Sequence, residues 1–137
     1  MALILDTGPL FAAMDRSDAD HERCAALVEG TSEPIVIPAP VMVEIDWLSA
    51  RRLLPDAFLS LLEDIRDKRL AVEDMRIDDY ERSRELIDRY RDLPLGFVDA
   101  AVLSIVERLG EAKLATLDRR HFAVVRPRHV PTLRLLP

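Results

Sequence analysis

Short apolar runs, each too short to form a helix, alternate along the chain with longer amphipathic stretches. The clearest are Ala2 to Leu5, Pro34 to Pro38 and Lys113 to Leu117, with weaker candidates at Leu70 to Val72 and Thr132 to Leu136. Fully apolar strands are typical of parallel sheets that helices cover on both faces. The pattern therefore predicts an α/β fold with a mostly parallel central sheet of four to five short strands flanked by helices.

Helix start and stop signals occupy the intervals between these runs. Proline is tolerated in the first turn of a helix, and glycine and proline are common where helices end. These signals predict a first helix opened by Gly8-Pro9, a second capped by Asp18 or Asp20 and ending at Gly30, and a third running to about Arg52. A fourth helix starts at Pro55 and runs toward Lys68. A fifth is capped by Asp78 or Asp79 and stopped by Leu93-Pro94, and a sixth extends from Phe97 to Leu109.

A chain of 137 residues, 49% of them hydrophobic, is long enough for one core and too short for two ordinary domains. We expect a single domain over residues 1–137. No apolar run approaches the roughly 20 residues that span a bilayer, and the run ending at Leu5 has no basic leader or cleavage site. We therefore expect a cytoplasmic protein. Cys24 is the only cysteine, which excludes an internal disulfide and a zinc site built on two cysteines.

Four acidic residues interrupt or follow apolar segments in separate parts of the chain: Asp6, Glu44, Asp99 and Asp118. Asp6 and Asp118 come at the ends of two predicted strands, and ligands of open parallel sheets collect at the carboxyl edge of the strands. Taken alone, each of these two residues could be a turn residue or a helix N-cap. Taken together, the four acids are placed to point at one edge of the sheet.

Glu44 belongs to a helix whose apolar stripe is formed by Val41, Ile45 and Leu48. At about 100° per residue, Glu44 is roughly 60° from Val41 and is expected inside the stripe, whereas Asp46 is about 140° away and is expected in solvent. The alternative for Glu44 is an ion pair with an arginine at a helix interface.

Asp99 lies at the edge of the next apolar stripe, in the first turn of the helix from Phe97 to Leu109. The alternative there is a first-turn acid that the helix dipole stabilises. Carboxylates beside apolar residues are costly unless something positive compensates them. A shared divalent metal, Mg²⁺ or Mn²⁺, would compensate all four acids, and such a site favours phosphodiester chemistry.

Two threonines accompany the acids. Thr7 follows Asp6 directly, and Thr116 shares a strand face with Asp118. Their hydroxyls could orient a carboxylate or donate to a phosphate oxygen. Ordinary capping or strand propensity is the alternative for both.

The net charge of −6 argues against a protein that holds nucleic acid by bulk electrostatics alone. The segment after Asp118 differs, since residues 119–137 contain five arginines, two histidines and no acid. A solvated basic surface is one interpretation of this segment. The other is that it guides an RNA backbone, with the candidate contacts Arg119, Arg120, Arg126 and Arg128.

Four motifs in this order resemble the PIN domain, and specifically the VapC-type toxins of bacterial toxin–antitoxin pairs. They are Asp6-Thr-Gly-Pro-Leu10, Val43-Glu-Ile-Asp-Trp-Leu48, Leu93-Pro-Leu-Gly-Phe-Val-Asp-Ala-Ala101 and Ala115-Thr-Leu-Asp-Arg-Arg-His-Phe122. The resemblance implies that the catalytic, metal-binding acids are Asp6, Glu44, Asp99 and Asp118, with Thr116 as a supporting hydroxyl. The chain departs from the family pattern at Gly8, where many relatives have Ser or Asn.

The resemblance further implies an endoribonuclease that cleaves structured RNA, of the tRNA or rRNA class, by in-line attack of water with one or two Mg²⁺ or Mn²⁺ ions. Asp6, Glu44 and Asp99 would hold the first ion, and Asp118 a more weakly held second one. Among the histidines, only His121, close after Asp118, is a candidate for catalysis.

The resemblance also implies two protein partners. One is a second copy of the chain, in a homodimer. The other is a VapB-type antitoxin, which lays an apolar helix on a groove between the early helices. Candidates for that contact, or for plain core, are Trp47, Leu53, Leu54 and Phe58.

Alternatives to a toxin are a housekeeping PIN-domain nuclease that processes RNA and a catalytically weak PIN module that acts mainly by protein binding. This chain also lacks residues that two other classes of protein require. A haloacid-dehalogenase-type phosphatase has a second aspartate two residues after the first, where this chain has Gly8. A receiver domain has paired acids before its first helix and a lysine after a late strand, and neither is present.

Overall fold

The computed structural model describes all residues, 1–137. Five strands alternate with seven helices along the chain. In order, they are β1 (Leu3–Ile4), α1 (Thr7–Met14), α2 (His21–Gly30), β2 (Ile35–Pro38), α3 (Ala39–Arg51), α4 (Pro55–Arg66), β3 (Ala71–Glu73), α5 (Ile77–Arg89), α6 (Phe97–Leu109), β4 (Lys113–Ala115), α7 (Arg119–Phe122) and β5 (Arg134–Leu136).

All strand pairings are parallel. β1, β2 and β3 form one sheet in that order, and β4 pairs with β5. A single parallel bridge between Leu5 and Ala115 joins the two groups, so the strands follow one another in space as β3, β2, β1, β4 and β5. The predicted α/β fold with a mostly parallel sheet is confirmed.

The core explains why the strands lack polar alternation. Leu3, Ile4 and Leu5 are all buried, as is Leu114 of β4, because helices cover both faces of the sheet. Helix α6 is the most buried helix, with every side chain from Ala100 to Val106 inaccessible to solvent. This burial fixes the first turn of α6 relative to the sheet.

Buried ion pairs join α5 to α6. Arg82 donates to Glu107 over 2.8 Å, and Arg108 donates to the buried Asp79 over 3.0 Å. Asp79 also accepts a hydrogen bond from the backbone N–H of Arg76 at 2.8 Å, and Arg76, rather than Asp78 or Asp79, is the N-cap of α5. The prediction of an acidic cap is therefore wrong by two or three residues, because the Asp79 carboxylate reaches back from the third helical position.

Other boundaries lie close to expectation. Helix α2 is capped at Asp20 and ends at Gly30, and α6 has the predicted limits. Cys24 is buried within α2. The short helix α7 was not predicted, since its four residues contain a single apolar side chain, Phe122, and therefore show no apolar period. None of the helices is long and apolar enough to cross a membrane.

Candidate active site

The four predicted acids come from four different elements. Asp6 is the N-cap of α1 at the end of β1, and Asp118 is the N-cap of α7 after β4. Glu44 lies in the second turn of α3, which begins directly after β2, and Asp99 lies in the first turn of α6. Because β1, β2 and β4 run in parallel, their carboxyl ends share one edge of the sheet.

Asp6 is the most deeply placed of the four, with 5% of its surface exposed. Its carboxylate Oδ2 accepts a hydrogen bond from the Thr116 hydroxyl at 2.7 Å, and its backbone N–H donates to the carbonyl of Ala115 at 2.9 Å. Burial raises its pKa from 3.8 to about 6, against the hydrogen bonds that lower it, and the charges of Asp99 and Glu44 raise it further.

Asp99 is half-buried, and its pKa is also raised. Desolvation is the main cause, followed by the charge of Asp118, while His121 opposes the shift and Glu44 adds to it. The charge of Asp99 acts in turn on Asp6. Asp6, Glu44 and Asp99 thus lie within electrostatic reach of one another, and Asp118 acts on Asp99, so metal-free ionisation costs the site free energy.

Glu44 is more exposed than its sequence position predicts. Val41 and Ile45 are buried, but Glu44 is exposed like Asp46, and its Oε1 accepts a hydrogen bond from the Thr7 hydroxyl at 2.6 Å. The physical reason is that Glu44 lies about 40° beyond Leu48 at the border of the stripe. At that border its carboxylate meets only the first residue of α1, Thr7.

Asp118 is held from two sides. Its backbone N–H donates to the Thr116 hydroxyl oxygen at 3.0 Å, and the same hydroxyl donates to Asp6, so one threonine links the two acids. On the other side, Asp118 Oδ1 accepts the His121 backbone N–H at 3.0 Å, and His121 Nδ1 lies 2.6 Å from Asp118 Oδ2. The same Nδ1 lies 3.3 Å from Asp99 Oδ2.

His121 is the site residue that sequence reasoning undervalued. The donor atoms of Asp99, Asp118 and His121 all lie within 4.8 Å of one another, an arrangement that could hold a metal ion. The sequence feature that could have indicated His121 is its spacing of three residues from Asp118, because this spacing brings an N-cap side chain and the third helical residue together. The absence of a predicted helix at that place concealed it.

The acids fit a hard divalent cation. None of the four pairs with a lysine or arginine, and the only cationic partner of Asp99 and Asp118 is His121. The alternative of an arginine ion pair for Glu44 is therefore wrong. Clustered oxygen donors with no fixed counter-charge are the ligands that Mg²⁺ and Mn²⁺ prefer.

Gly8 has a packing role at this edge. A Cβ atom at this position would lie 3.2 Å from Leu117 Cβ, closer than ordinary contact. The loop that carries Asp118 therefore packs directly on the backbone of α1. A Ser or Asn at this position would require Leu117 to move.

The predicted basic residues differ in what their charges contact. Arg120 and Arg126 are exposed, and neither guanidinium has an acidic partner, whereas the Arg119 guanidinium donates to the carbonyl of Pro137 at 2.9 Å. Arg128 pairs with Glu85 of α5. That ion pair is partly exposed to solvent, and it distinguishes Arg128 from the other three, which have no acidic partner.

The chain is similar to known proteins over most of its length. The family model of the PIN domain matches residues 3–126. The chain is 29% identical over 125 residues to ribonuclease VapC26 of Mycobacterium tuberculosis, covering 91% of this chain and 93% of that protein.

Two solved structures share the fold. The sarcin-ricin loop cleaving toxin VapC20 of Mycobacterium tuberculosis superposes with a TM-score of 0.80 and 22% identity, covering 93% of this chain and 98% of that one. The complex VapBC2 from Rickettsia felis, bound to a DNA fragment from its promoter, gives a TM-score of 0.71 at 17% identity and covers both chains fully. The resemblance to VapC-type PIN proteins that the four motifs indicated is confirmed.

Proposed function

The chain belongs to the PIN-domain family, and from this premise we propose that it is a divalent-metal-dependent endoribonuclease and the toxin of a toxin–antitoxin pair. The observation that carries the proposal is the convergence of Asp6, Glu44, Asp99 and Asp118 from four elements at one sheet edge. The similarity to ribonuclease VapC26 supports it. Residues 1–137 would act as one nuclease domain.

Asp6, Glu44 and Asp99 would hold one ion, and Asp118 a more weakly held second ion. Bound Mg²⁺ or Mn²⁺ would supply an activated water and stabilise the leaving oxygen of the phosphodiester. The Thr116 hydroxyl holds Asp6 and the backbone of Asp118 in place. The Thr7 hydroxyl does the same for Glu44, the most accessible of the acids.

The substrate in this proposal is structured RNA of the tRNA or rRNA class. VapC20, which shares the fold, cleaves the sarcin-ricin loop. In this chain, Arg119 and Arg120 follow Asp118 directly, and their exposure suits contacts with phosphates next to the site. Arg126 is a further candidate, and Arg128 would have to exchange its surface partner Glu85 for a phosphate.

An apolar groove supports an antitoxin as partner. Helices α1, α2 and α4 enclose a cavity of about 250 Å³ lined mainly by apolar side chains, including Leu10, Met14, Val28 and Leu61. An amphipathic helix lying over this cavity would place one or two of its apolar side chains there. The predicted contacts divide into two groups, because Trp47 and Leu53 are 57% and 85% exposed whereas Leu54 and Phe58 pack against the core.

A second apolar surface supports a homodimer. Val43, Tyr80, Ile87 and Phe97 are exposed on neighbouring parts of α3, α5 and α6, and the rings of Tyr80 and Phe97 stack with centroids 6.2 Å apart. Burial of this surface against its copy would favour association. Light scattering should therefore report a dimer for the wild type and a monomer for Tyr80→Arg.

A cleavage assay tests the catalytic proposal. A fluorescent RNA hairpin should be cut in the presence of Mg²⁺ or Mn²⁺ and left intact in EDTA. Glu44→Gln should abolish cleavage, whereas Asp46→Asn, an equivalent change at an exposed position two residues along α3, should retain it. Full activity of Glu44→Gln would overturn the shared-metal site.

A growth experiment separates the toxin from the other candidates. Expression of the wild type alone should arrest growth, and coexpression of a small partner from its native operon should relieve the arrest. Harmless expression of an active nuclease with no copurifying partner would favour a housekeeping role in RNA processing. An inactive chain that still binds its partner would favour a PIN module that acts by protein binding. A cytoplasmic location remains a prediction.

A further inference from the structure

We propose that His121 is a nitrogen ligand of the divalent ion held by Asp99 and Asp118, which makes this half of the site a mixed nitrogen and oxygen site selective for Mn²⁺ over Mg²⁺. The inference rests on the proposed function, because it takes metal binding by the carboxylates as given. It adds a residue outside the four acids and a preference between the two ions.

Backbone and side chain of His121 are both fixed relative to Asp118. The backbone N–H donates to Asp118 Oδ1 at 3.0 Å, and the ring Nδ1 lies 2.6 Å from Oδ2 of the same carboxylate. Nδ1 also lies 3.3 Å from Asp99 Oδ2. The ring nitrogen thus lies between two carboxylates from different elements, α6 and the β4–α7 loop.

The donor spacing suits one ion. Ligand atoms that each lie about 2.1 Å from an ion are within about 4.2 Å of one another. The donor atoms of Asp99, Asp118 and His121 already lie within 4.8 Å of one another. The side chain of His121 is 17% exposed, so its orientation is restricted by packing.

The second ring nitrogen of His121, Nε2, makes no contact that would prevent Nδ1 from binding an ion. Nε2 of His121 is buried and has no hydrogen-bond partner, so no fixed acceptor or donor on that side determines the tautomer. When the ion binds, the Nδ1 position gives up any proton to solvent, and the neutral ring keeps its one proton on Nε2.

The other two histidines do not share these properties. His21 Nδ1 contacts the carbonyl of Ala12 at 2.7 Å, and His129 Nε2 contacts the carbonyl of Glu111 at 2.6 Å. Neither ring contacts a carboxylate. Of the three imidazoles in the chain, only that of His121 is aimed at the acids.

Ligand chemistry supplies the selectivity. Both ions are held mainly by oxygen ligands, but Mn²⁺ is the first member of the transition-metal series whose affinity for nitrogen sites rises toward Cu²⁺, whereas Mg²⁺ lies outside that series. A site with one imidazole therefore gains affinity for Mn²⁺ relative to a site of carboxylates alone, with little gain for Mg²⁺. The other reading of the geometry is that His121 only donates from Nδ1 to hold Asp118 in place.

Electron paramagnetic resonance of Mn²⁺ bound to the tag-free full chain distinguishes the two readings. The variant is His121→Asn, whose amide occupies the position of Nδ1 and can still donate to Asp118. The matched control is His21→Asn, whose amide can keep the contact with Ala12 at a position away from the acids. The wild type and the control should show electron spin-echo modulation from an imidazole nitrogen, and His121→Asn should lack it.

Affinities complete the test. His121→Asn should weaken Mn²⁺ binding about tenfold or more, the scale at which even the hydrogen-bond partners of metal ligands act, and should leave Mg²⁺ binding nearly unchanged. Two outcomes would overturn this inference alone. In one, the wild type binds Mn²⁺ without nitrogen modulation. In the other, His121→Asn binds Mn²⁺ as tightly as the wild type or more tightly. No Mn²⁺ binding by the wild type would overturn the proposed function as well.

Discussion

Substitution of Asp6 by Asn should stabilise the metal-free protein at neutral pH. The wild-type carboxylate is ionised there although burial raises its pKa from 3.8 to about 6. The interval between these two values corresponds to about 3 kcal/mol of unfolding free energy, at about 1.4 kcal/mol per tenfold change. With 5% of the residue exposed, solvent screens little of this cost.

The net gain is smaller than that figure, because the new amide N–H₂ has to find acceptors in a buried site, at a cost of about 1 to 2 kcal/mol if it is imperfectly paired. The Thr116 hydroxyl can still donate to the amide oxygen. We expect a gain of about 1 to 2 kcal/mol, which raises Tm by roughly 4 to 8 °C for a domain of this size.

The pH dependence gives the sharper test. Because the folded state holds the Asp6 proton more tightly than the unfolded state, the contribution of Asp6 to wild-type stability falls as pH rises from about 4 to about 6 and is then constant. Asp6→Asn should therefore be slightly less stable than the wild type at pH 4, where the pairing cost of its amide dominates, and should reach its full advantage above pH 6. Saturation with Mn²⁺ at a hundredfold excess over Kd should reverse the order, since it adds about 2.7 kcal/mol to the wild type only.

Urea denaturation in EDTA, at several pH values, measures these differences. The control is Glu107→Gln, the same chemical change at a buried carboxylate that pairs with Arg82 at 2.8 Å. This control should lose about 3 kcal/mol, because it leaves a buried guanidinium short of its partner. A difference between Asp6→Asn and the wild type that does not vary between pH 4 and pH 7 would refute the reasoning, as would a less stable variant at pH 7.

Two further predictions concern the surroundings of the acids. Replacement of Arg119 and Arg120 by Ala should weaken RNA binding and reduce the slope of log affinity against log salt concentration by about 2. The measurement uses Ca²⁺ in place of Mg²⁺ to suppress turnover, and Asp118→Asn, the control, should leave RNA binding intact. Normal binding by the double variant at every salt concentration would show that the two arginines are only solvated surface residues. Thr116→Val should weaken Mn²⁺ affinity about 10- to 100-fold in calorimetric titrations, because its hydroxyl holds Asp6, and unchanged affinity would contradict that role.

The parts of the fold that follow from local patterns were predictable. Three apolar residues in a row at Leu3 to Leu5 require a strand buried on both faces, and that requirement leads to a parallel sheet. Once the sheet is parallel, acids at the ends of β1 and β4 have to share an edge. The position of Asp6 relative to Asp118 therefore followed from the strands that precede them.

Contacts between distant segments were not predictable in this way. Arg128 and Glu85 are 43 residues apart and form an ion pair that no local pattern encodes. The exposure of Glu44 depends on what packs against the border of its helix, and there its carboxylate contacts only Thr7. His121 became recognisable only once α7 placed its ring between Asp99 and Asp118.

The single bridge between Leu5 and Ala115 has a consequence for when the site comes into existence during synthesis. The β1–β3 group and helices α3 and α6 supply Asp6, Glu44 and Asp99, but β4 supplies the carbonyl that receives the Asp6 N–H and leads directly to Asp118. Domains generally fold as units during synthesis, once enough of the chain has emerged from the ribosome. A nascent chain that has released only the segment up to α6 lacks the partner of Asp6 and the fourth acid. The proposed nuclease would therefore be inert while it is being made, and it would become dangerous to the cell's RNA only after β4 has docked beside β1.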